Sequence, residues 1–185
     1  MDRVSPTDRN LRFTLAVLPH LDAAFNLARW SLGEDSLARD AVQAASVRAL
    51  SYLDTLRGND GKAWFLGIVR NQCFDLLRER TARRHDLDLE DYLDDPEAGE
   101  ALTSTQLGPE QWLERQADRA QVNAALASLP VSFREVLILR EMEELSYADI
   151  ARITDVPVGT VMSRLARGRA LFRSTFLAAA GEVNR

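Results

Sequence analysis

Residues 146–173, SYADIARITDVPVGTVMSRLARGRALFR, place the tightest constraint on what this chain can fold into. Their pattern predicts a helix-turn-helix. Ile150, Ile153 and Val156 fit one buried side of a first helix and its turn. Ser146 can cap that helix, with Asp149 three positions on completing a capping-box-like pair. Pro157 stands where a second helix begins, its φ already suited to that position. Val161, Leu165 and Phe172 supply the second helix's inward face, which leaves Arg164, Arg167 and Arg169 to project outward. A helix fits a DNA major groove, where arginine reaches both phosphates and guanine edges. Thr160 lies in the first turn, where a small polar side chain suits phosphate contact. Met162, Ser163, Arg164, Ala166, Arg167 and Arg169 complete the candidate contact surface. Two packed helices with solvated arginines would be the bland alternative. It leaves unexplained why capping serine, turn, proline and arginine row coincide.

Net charge argues the other way, because 28 acidic residues against 23 basic give −5. The charge is unevenly placed, however. Lys62 to Arg84 carries six basic and two acidic residues, and Ser146 to Arg173 carries five arginines and two aspartates. Between them, Asp86 to Glu114 holds ten acidic residues and no Lys or Arg. Two basic modules therefore flank an acidic spacer, and local fields govern contact with phosphate. The apolar fraction of 46% suits a globular protein rather than a disordered one. No apolar run approaches the roughly 20 residues that span a bilayer. The polar start, MDRVSPTDRNLR, lacks the apolar core of a signal peptide, so a cytoplasmic protein is expected. The single cysteine, Cys73, excludes an internal disulfide framework and any multi-cysteine zinc site.

The periodicity is helical throughout, and an all-α chain of two small domains is expected. A helix over about 19–32 has Leu21, Ala24, Phe25 and Ala28 on one side, and Gly33 can end it. Asp35 or Ser36 can cap a second helix reaching about Leu56. Residues 57–61, RGNDG, signal a loop. A third helix over about 62–83 carries Phe65, Ile68, Val69, Leu76 and Leu77 as its apolar stripe. Residues 86–109 read as a linker, with a short helical piece near Leu87–Leu93. Further helices are expected over about 110–128, 131–143, 146–154 and 157–176, with Leu129-Pro130 marking a break.

The third helix is the second functional signal. Asn71, Phe74, Asp75 and Arg78 fall at i, i+3, i+4 and i+7, on one face. An amide, an aromatic ring and a cation together suit bases that have left the stack beside a phosphate. Trp64 and Phe74 could equally be core, and Asp75 with Arg78 an ordinary surface pair. The basic tail of Arg78, Arg80, Arg83 and Arg84 favours phosphate but could be a solvated helix end.

The two modules together resemble a bacterial RNA polymerase sigma factor of the sigma-70 superfamily, in the extracytoplasmic-function (ECF) group. WFLGIVRNQCFDLLRER is similar to the family pattern at Trp64, Ile68, Arg70, Asn71, Asp75 and Arg78. ALASLPVSFREVLILREMEELSYADIA is similar to the start of its sigma-4 domain at Leu129, Pro130, Arg134, Glu135, Leu137, Leu139, Ser146, Tyr147, Ile150 and Ala151. PVGTVMSRLARGR matches its recognition helix. The resemblance implies a sigma-2 domain over 10–84, an acidic flexible linker over 85–111 and a sigma-4 domain over 112–178. It implies that Asp40, Gln43, Val47 and Arg48 dock on the β′ clamp helices of core polymerase, with sigma-4 on the β flap. It also implies that Asn59, Lys62, Trp64, Arg70, Asn71, Phe74, Asp75 and Arg78 capture and melt −10 promoter DNA, while the recognition helix reads the −35 element. An anti-sigma factor is the implied inhibitor. The chain departs from the family where an acidic residue is usual (Ala44), where an aromatic is usual (Leu50), and at Met162 and Ala166 on the recognition helix.

Catalytic readings are weak. His20 and His85 stand far apart, in no metal-ligand spacing, and no phosphate-binding glycine motif occurs. The carboxylates fall mostly in a linker, a poor place to hold a general acid. No enzyme, cofactor or metal is expected, and Cys73 reads as a small buried apolar residue. Two other classes fit part of the pattern. A stand-alone helix-turn-helix regulator would use residues 146–173 and leave the third helix idle. A sigma-like interaction module would be consistent with Ala44 and Leu50.

Overall fold

The computed structural model describes residues 6–58, 60–85 and 121–183, which are helical with turns and hold no strand. The N-terminal unit contains α1 (Pro6–Val17), a 3-10 turn (Leu18–His20), α2 (Leu21–Leu32), α3 (Asp35–Tyr52), a second 3-10 turn (Leu53–Thr55) and α4 (Gly61–His85). The sequence pattern does not announce α1, and the reason is physical. Its leucines, Leu11 and Leu15, point outward, whereas Ala16 and Val17 are its buried residues and Phe13 is half-buried against the core. Pro19 sits inside the 3-10 turn, so α2 starts two residues later than the pattern suggests. Gly33 ends α2 in the left-handed conformation, φ +73°, as expected. Neither Asp35 nor Ser36 caps α3. The N-cap is Glu34, in extended geometry, and the Ser36 hydroxyl donates to its carboxylate. The second helix also stops at Tyr52, because Leu53–Thr55 tighten into the 3-10 turn.

Small residues set the packing of this unit. Ala38, Ala41, Ala45 and Ala49 form a fully buried alanine ladder on α3, which lets α2 and α4 approach closely. At the start of α4, a Cβ on Gly61 would come within 2.9 Å of the Ala16 backbone. Glycine is required there by the α1–α4 contact. Phe65, Leu66, Val69 and Cys73 carry the buried stripe of α4.

The C-terminal unit contains α5 (121–127), α6 (Val131–Leu137), a π-helical turn (Ile138–Met142), α7 (Tyr147–Thr154) and α8 (Val158–Val183). The expected single helix over 131–143 is thus divided, and the recognition helix runs past residue 176 to Val183. Residues 110–120 of the expected helix 110–128, together with the spacer over 86–109, lie outside the described residues. The helix-turn-helix forms as its sequence requires. The Ser146 hydroxyl accepts from the Asp149 N–H at 3.1 Å and donates to the Asp149 carboxylate at 2.6 Å. Asp155 closes α7 at φ +54°, a left-handed position that aspartate tolerates better than most residues. The Pro157 carbonyl then accepts from the N–H groups of Thr160 and Val161 to start α8. Ile150, Ile153, Val161 and Leu165 are buried between the two helices, and Val156 and Phe172 are half-buried.

The two units share one apolar core, with α4 against α7 and α2 against α6. Polar contacts fix the register between them. Arg70 Nε reaches Glu135 Oε1 at 2.6 Å, and Lys62 Nζ reaches Glu143 Oε2 at 3.0 Å. Arg152 pairs with Asp60, and Arg134 Nη1 donates to the Trp30 carbonyl at 2.9 Å. A cleft of about 510 Å³ remains where Trp30 faces Leu126, Leu137, Ile138 and Phe172.

Candidate nucleic-acid interface

Helix α8 presents an open face. Met162, Ser163, Arg167 and Arg169 are exposed, and Thr160 is half-buried at the first turn. The expectation of three outward arginines needs one correction. Arg164 is half-buried and lies within electrostatic reach of Glu135. Arg169 is exposed but engaged, with Nη2 2.6 Å from Glu141 Oε1. Of the three, Arg167 is the one for which the described structure shows neither burial nor an ion pair. The face rests on a tightly seated helix: a Cβ at Gly168 would meet Leu137 Cδ1 at 3.1 Å.

Helix α4 differs. Asn71 and Arg78 are exposed, while Trp64, Phe74 and Asp75 are half-buried. The indole N–H of Trp64 donates to Thr55 Oγ1 at 3.1 Å, pinning the ring over the loop that precedes the helix. Asp75 does not pair with Arg78. It binds Arg48 of α3 at 3.0 Å, a half-exposed contact worth little in stability. The guanidinium of Arg70 lies 4.3 Å over the Phe74 ring and is only 16% exposed. Asn59 lies outside the described residues.

Two cations of α4 are engaged by residues that sequence reading did not nominate for a site. Glu135 is 3% exposed and takes Arg70; Glu143 is 7% exposed and takes Lys62 through both its carboxylate and its carbonyl, the latter at 2.8 Å. The π-helical turn ends immediately before Glu143 and brings it to the interface. Burial raises the Glu135 carboxyl above its ordinary value, and Arg70 only partly opposes this. Burial, with Glu135 adding to it, pushes the Cys73 thiol up to about 12, so Cys73 is an inert core residue as expected. His20 sits at the same junction, its pKa lowered by burial and then by Lys62. Arg134 also escaped notice as a structural element. It donates to the carbonyls of Ala127 and Leu129 as well as Trp30, tying the end of α5 to α2. An adjacent arginine and glutamate, Arg134 and Glu135, within the apolar run 133–139 were the available signal.

Helix α3 offers a third face. Asp40, Gln43, Val47 and Arg48 are all exposed, Val47 to 63%. Leu50 and Tyr52 extend this surface at 41% and 52%. Among the described residues, no group of His, Cys, Asp and Glu is placed to hold a metal, and no helix is long and apolar enough to cross a membrane.

The family model for Sigma-70 region 2 matches residues 16–83, and that for Sigma-70, region 4 matches residues 119–172. The chain is 33% identical over 172 residues to the RNA polymerase sigma-H factor of Pseudomonas aeruginosa, covering 91% of this chain and 88% of that protein. It is 35% identical over 132 residues to the ECF RNA polymerase sigma-E factor of Escherichia coli, covering 70% and 69%. With the ECF RNA polymerase sigma factor SigE of Mycolicibacterium smegmatis it shares 30% identity over 161 residues, spanning 58% of that protein's length. Among solved structures it resembles the sigma factor RpoE of Bartonella quintana in complex with the anti-sigma factor NepR. That match has a TM-score of 0.72 and 27% identity, covering 88% of this chain and 95% of that one. Its fold also resembles CnrH in complex with the cytosolic domain of CnrY, with a TM-score of 0.60 and 24% identity over 94% and 99% of the chains. With two region models in the right order and relatives matched over most of their length, this chain belongs to the extracytoplasmic-function sigma factors of the sigma-70 family.

Proposed function

We propose that the chain binds core RNA polymerase in the cytoplasm and directs it to promoters carrying −35 and −10 elements, contributing recognition and DNA opening rather than bond chemistry. The exposed row Asp40, Gln43, Val47 and Arg48 on α3 docks on the β′ clamp helices, and the C-terminal unit on the β flap. Helix α8 enters the major groove of the −35 element, with Arg167 best placed to reach a base or phosphate. Helix α4 takes the −10 element: Asn71 and the loop before α4 receive a flipped base, Phe74 supplies a stacking surface, and Lys62, Arg70 and Arg78 hold phosphates. Flipping costs a few kcal/mol, so such a pocket must offset it by stacking and hydrogen bonding. The single observation that carries this reading is the coexistence of two separate exposed faces, on α3 and α8, in a chain of this family.

Control by an anti-sigma factor is part of the proposal. One solved structure it resembles at 27% identity is a sigma factor in complex with an anti-sigma factor. Residues 10–84 and 112–178 form the two working domains, and the acidic segment 85–111 tethers them. The test is run-off transcription from a genomic promoter library with purified core polymerase, with and without this chain. New discrete transcripts sharing motifs near −35 and −10 are expected. No new transcript from folded protein and active core would refute the proposal. On the promoter so found, Arg167→Ala should weaken −35 binding by about 1–3 kcal/mol if it contacts a base. Equal binding of the parent to matched and scrambled −35 DNA would remove the reading role from α8.

A further inference from the structure

We propose that α8 reads thymine in the −35 element through its 5-methyl group, with Met162 as the contact residue and Val158 and Ala166 beside it. The inference rests on the reading of α8 as the −35 helix and adds the base chemistry which that reading leaves open. The buried stripe of α8 is Val161, Leu165 and Gly168. Away from it run two rows at four-residue spacing, side by side on the helix surface. One row is polar, with Ser163 and Arg167. The other is apolar, with Val158, Met162 and Ala166, all exposed, Val158 to 42% and Met162 to 53%. Val158 and Met162 lie outside the apolar core. Their burial must come from something that meets the helix from outside.

Charge points to DNA as that occupant. From Val158 to Gly181 the helix carries Arg164, Arg167, Arg169 and Arg173 and no acidic residue. An apolar row among cations, with no carboxylate beside it, suits a polyanion that also offers apolar groups. In the major groove the apolar group on a base edge is the thymine methyl. Methionine is unbranched and polarizable, so its thioether can adapt to a methyl. A cation at position 162 would favour guanine or phosphate instead. Ser163 points the same way. Its hydroxyl donates to the Thr160 carbonyl at 3.0 Å, which leaves its lone pairs to accept. An A·T pair offers the adenine amino group as donor and the thymine methyl as apolar contact. A G·C pair also offers an amino group, but it carries no methyl.

The test is competition binding by polymerase holoenzyme carrying the full chain, on a promoter found by run-off transcription. Each −35 thymine, on either strand, is replaced in turn by deoxyuridine, which removes the methyl and keeps the base pair. The parent is expected to lose about fourfold in affinity at the contacted position, the worth of one buried methyl. Met162→Ala is expected to bind the thymine promoter more weakly and to lose the difference between thymine and deoxyuridine there. Met162→Leu should restore it. Position 162 is exposed, so the fold survives both substitutions, as circular dichroism will verify. A parent that binds every deoxyuridine promoter as well as the thymine one overturns the inference. So does a methyl preference that persists undiminished in Met162→Ala, or a −35 element without an A·T pair. If Met162→Ala weakens assembly with core polymerase and leaves the methyl preference intact, the row is a protein contact and the inference falls. Matched against scrambled −35 DNA separates the two ways of failing. If the parent binds both alike, the −35 reading of α8 falls. If it prefers matched DNA yet ignores the methyls, the inference alone falls.

Discussion

The two helices proposed to meet DNA are built alike and left in opposite states. Both are long, basic and seated on a buried apolar stripe, yet α8 shows Arg167 to solvent while α4 has Arg70 buried against Glu135. The difference lies outside the helices themselves. The α8 face is bounded by its own unit, so its exposure follows from local packing. The α4 face is met by residues more than sixty positions later in the chain. Cations legible in the sequence can thus be engaged in the structure by a distant unit.

The sharpest way to break this contrast is to remove one partner of the buried pair. Arg70→Ala leaves the buried Glu135 carboxylate without its ion-pair partner, and should cost about 3–5 kcal/mol of stability in chemical denaturation. Adding Glu135→Gln should recover most of the loss, since an amide tolerates the site without a counter-charge. If the single variant is as stable as the parent, the pair is not buried in solution.

Gly61→Ala tests the platform beneath α4 rather than its face. The added methyl meets the Ala16 backbone, so a loss of about 1–3 kcal/mol is expected in the same assay. The corresponding test for the other helix is Ser146→Ala, which removes the cap of α7 and should cost about 1 kcal/mol. Its effect on −35 binding should exceed its effect on −10 binding, and the reverse order would contradict the separation of the faces.

The smallest effect is on pH dependence. Glu135 has a folded pKa above its ordinary 4.5, so its contribution to stability is fully present below 4.5 and is lost as pH rises through the raised value. His20 has a folded pKa below its ordinary 6.5, so its contribution is present above 6.5 and is lost as pH falls through the lowered value. Acidification therefore weakens the interface at His20 and strengthens it at Glu135, with opposite slopes. Stability profiles of His20→Asn and Glu135→Gln should each lose one of these opposing slopes. A parent profile unchanged by either substitution would show that neither group titrates differently on folding.

What was legible in the sequence is what local physics decides. Cap, turn, proline and period fixed the helix-turn-helix, and Gly33 ended α2, because each acts within a few residues. Helix α1 was not legible, since its leucines face outward and its buried residues are alanine and valine. The π-helical turn was hidden because Ile138–Met142 read as one continuous helix. At the sites, exposed α3 and α8 residues could be nominated from one face of one helix. The engagement of Arg70, Lys62 and Asp60 could not, because each partner belongs to another unit.

The most direct test of engaged α4 cations and an open α8 face is the distance between the units. Spin labels at Arg39→Cys on α3 and Ser174→Cys on α8 sit on exposed positions, and native Cys73 is buried with its thiol at about 12, so it stays unlabelled. Double electron–electron resonance should give one short, narrow distance for the free full chain and a longer one with core polymerase and promoter DNA bound. A broad or long distance in the free chain, unchanged on forming the promoter complex, would contradict the account.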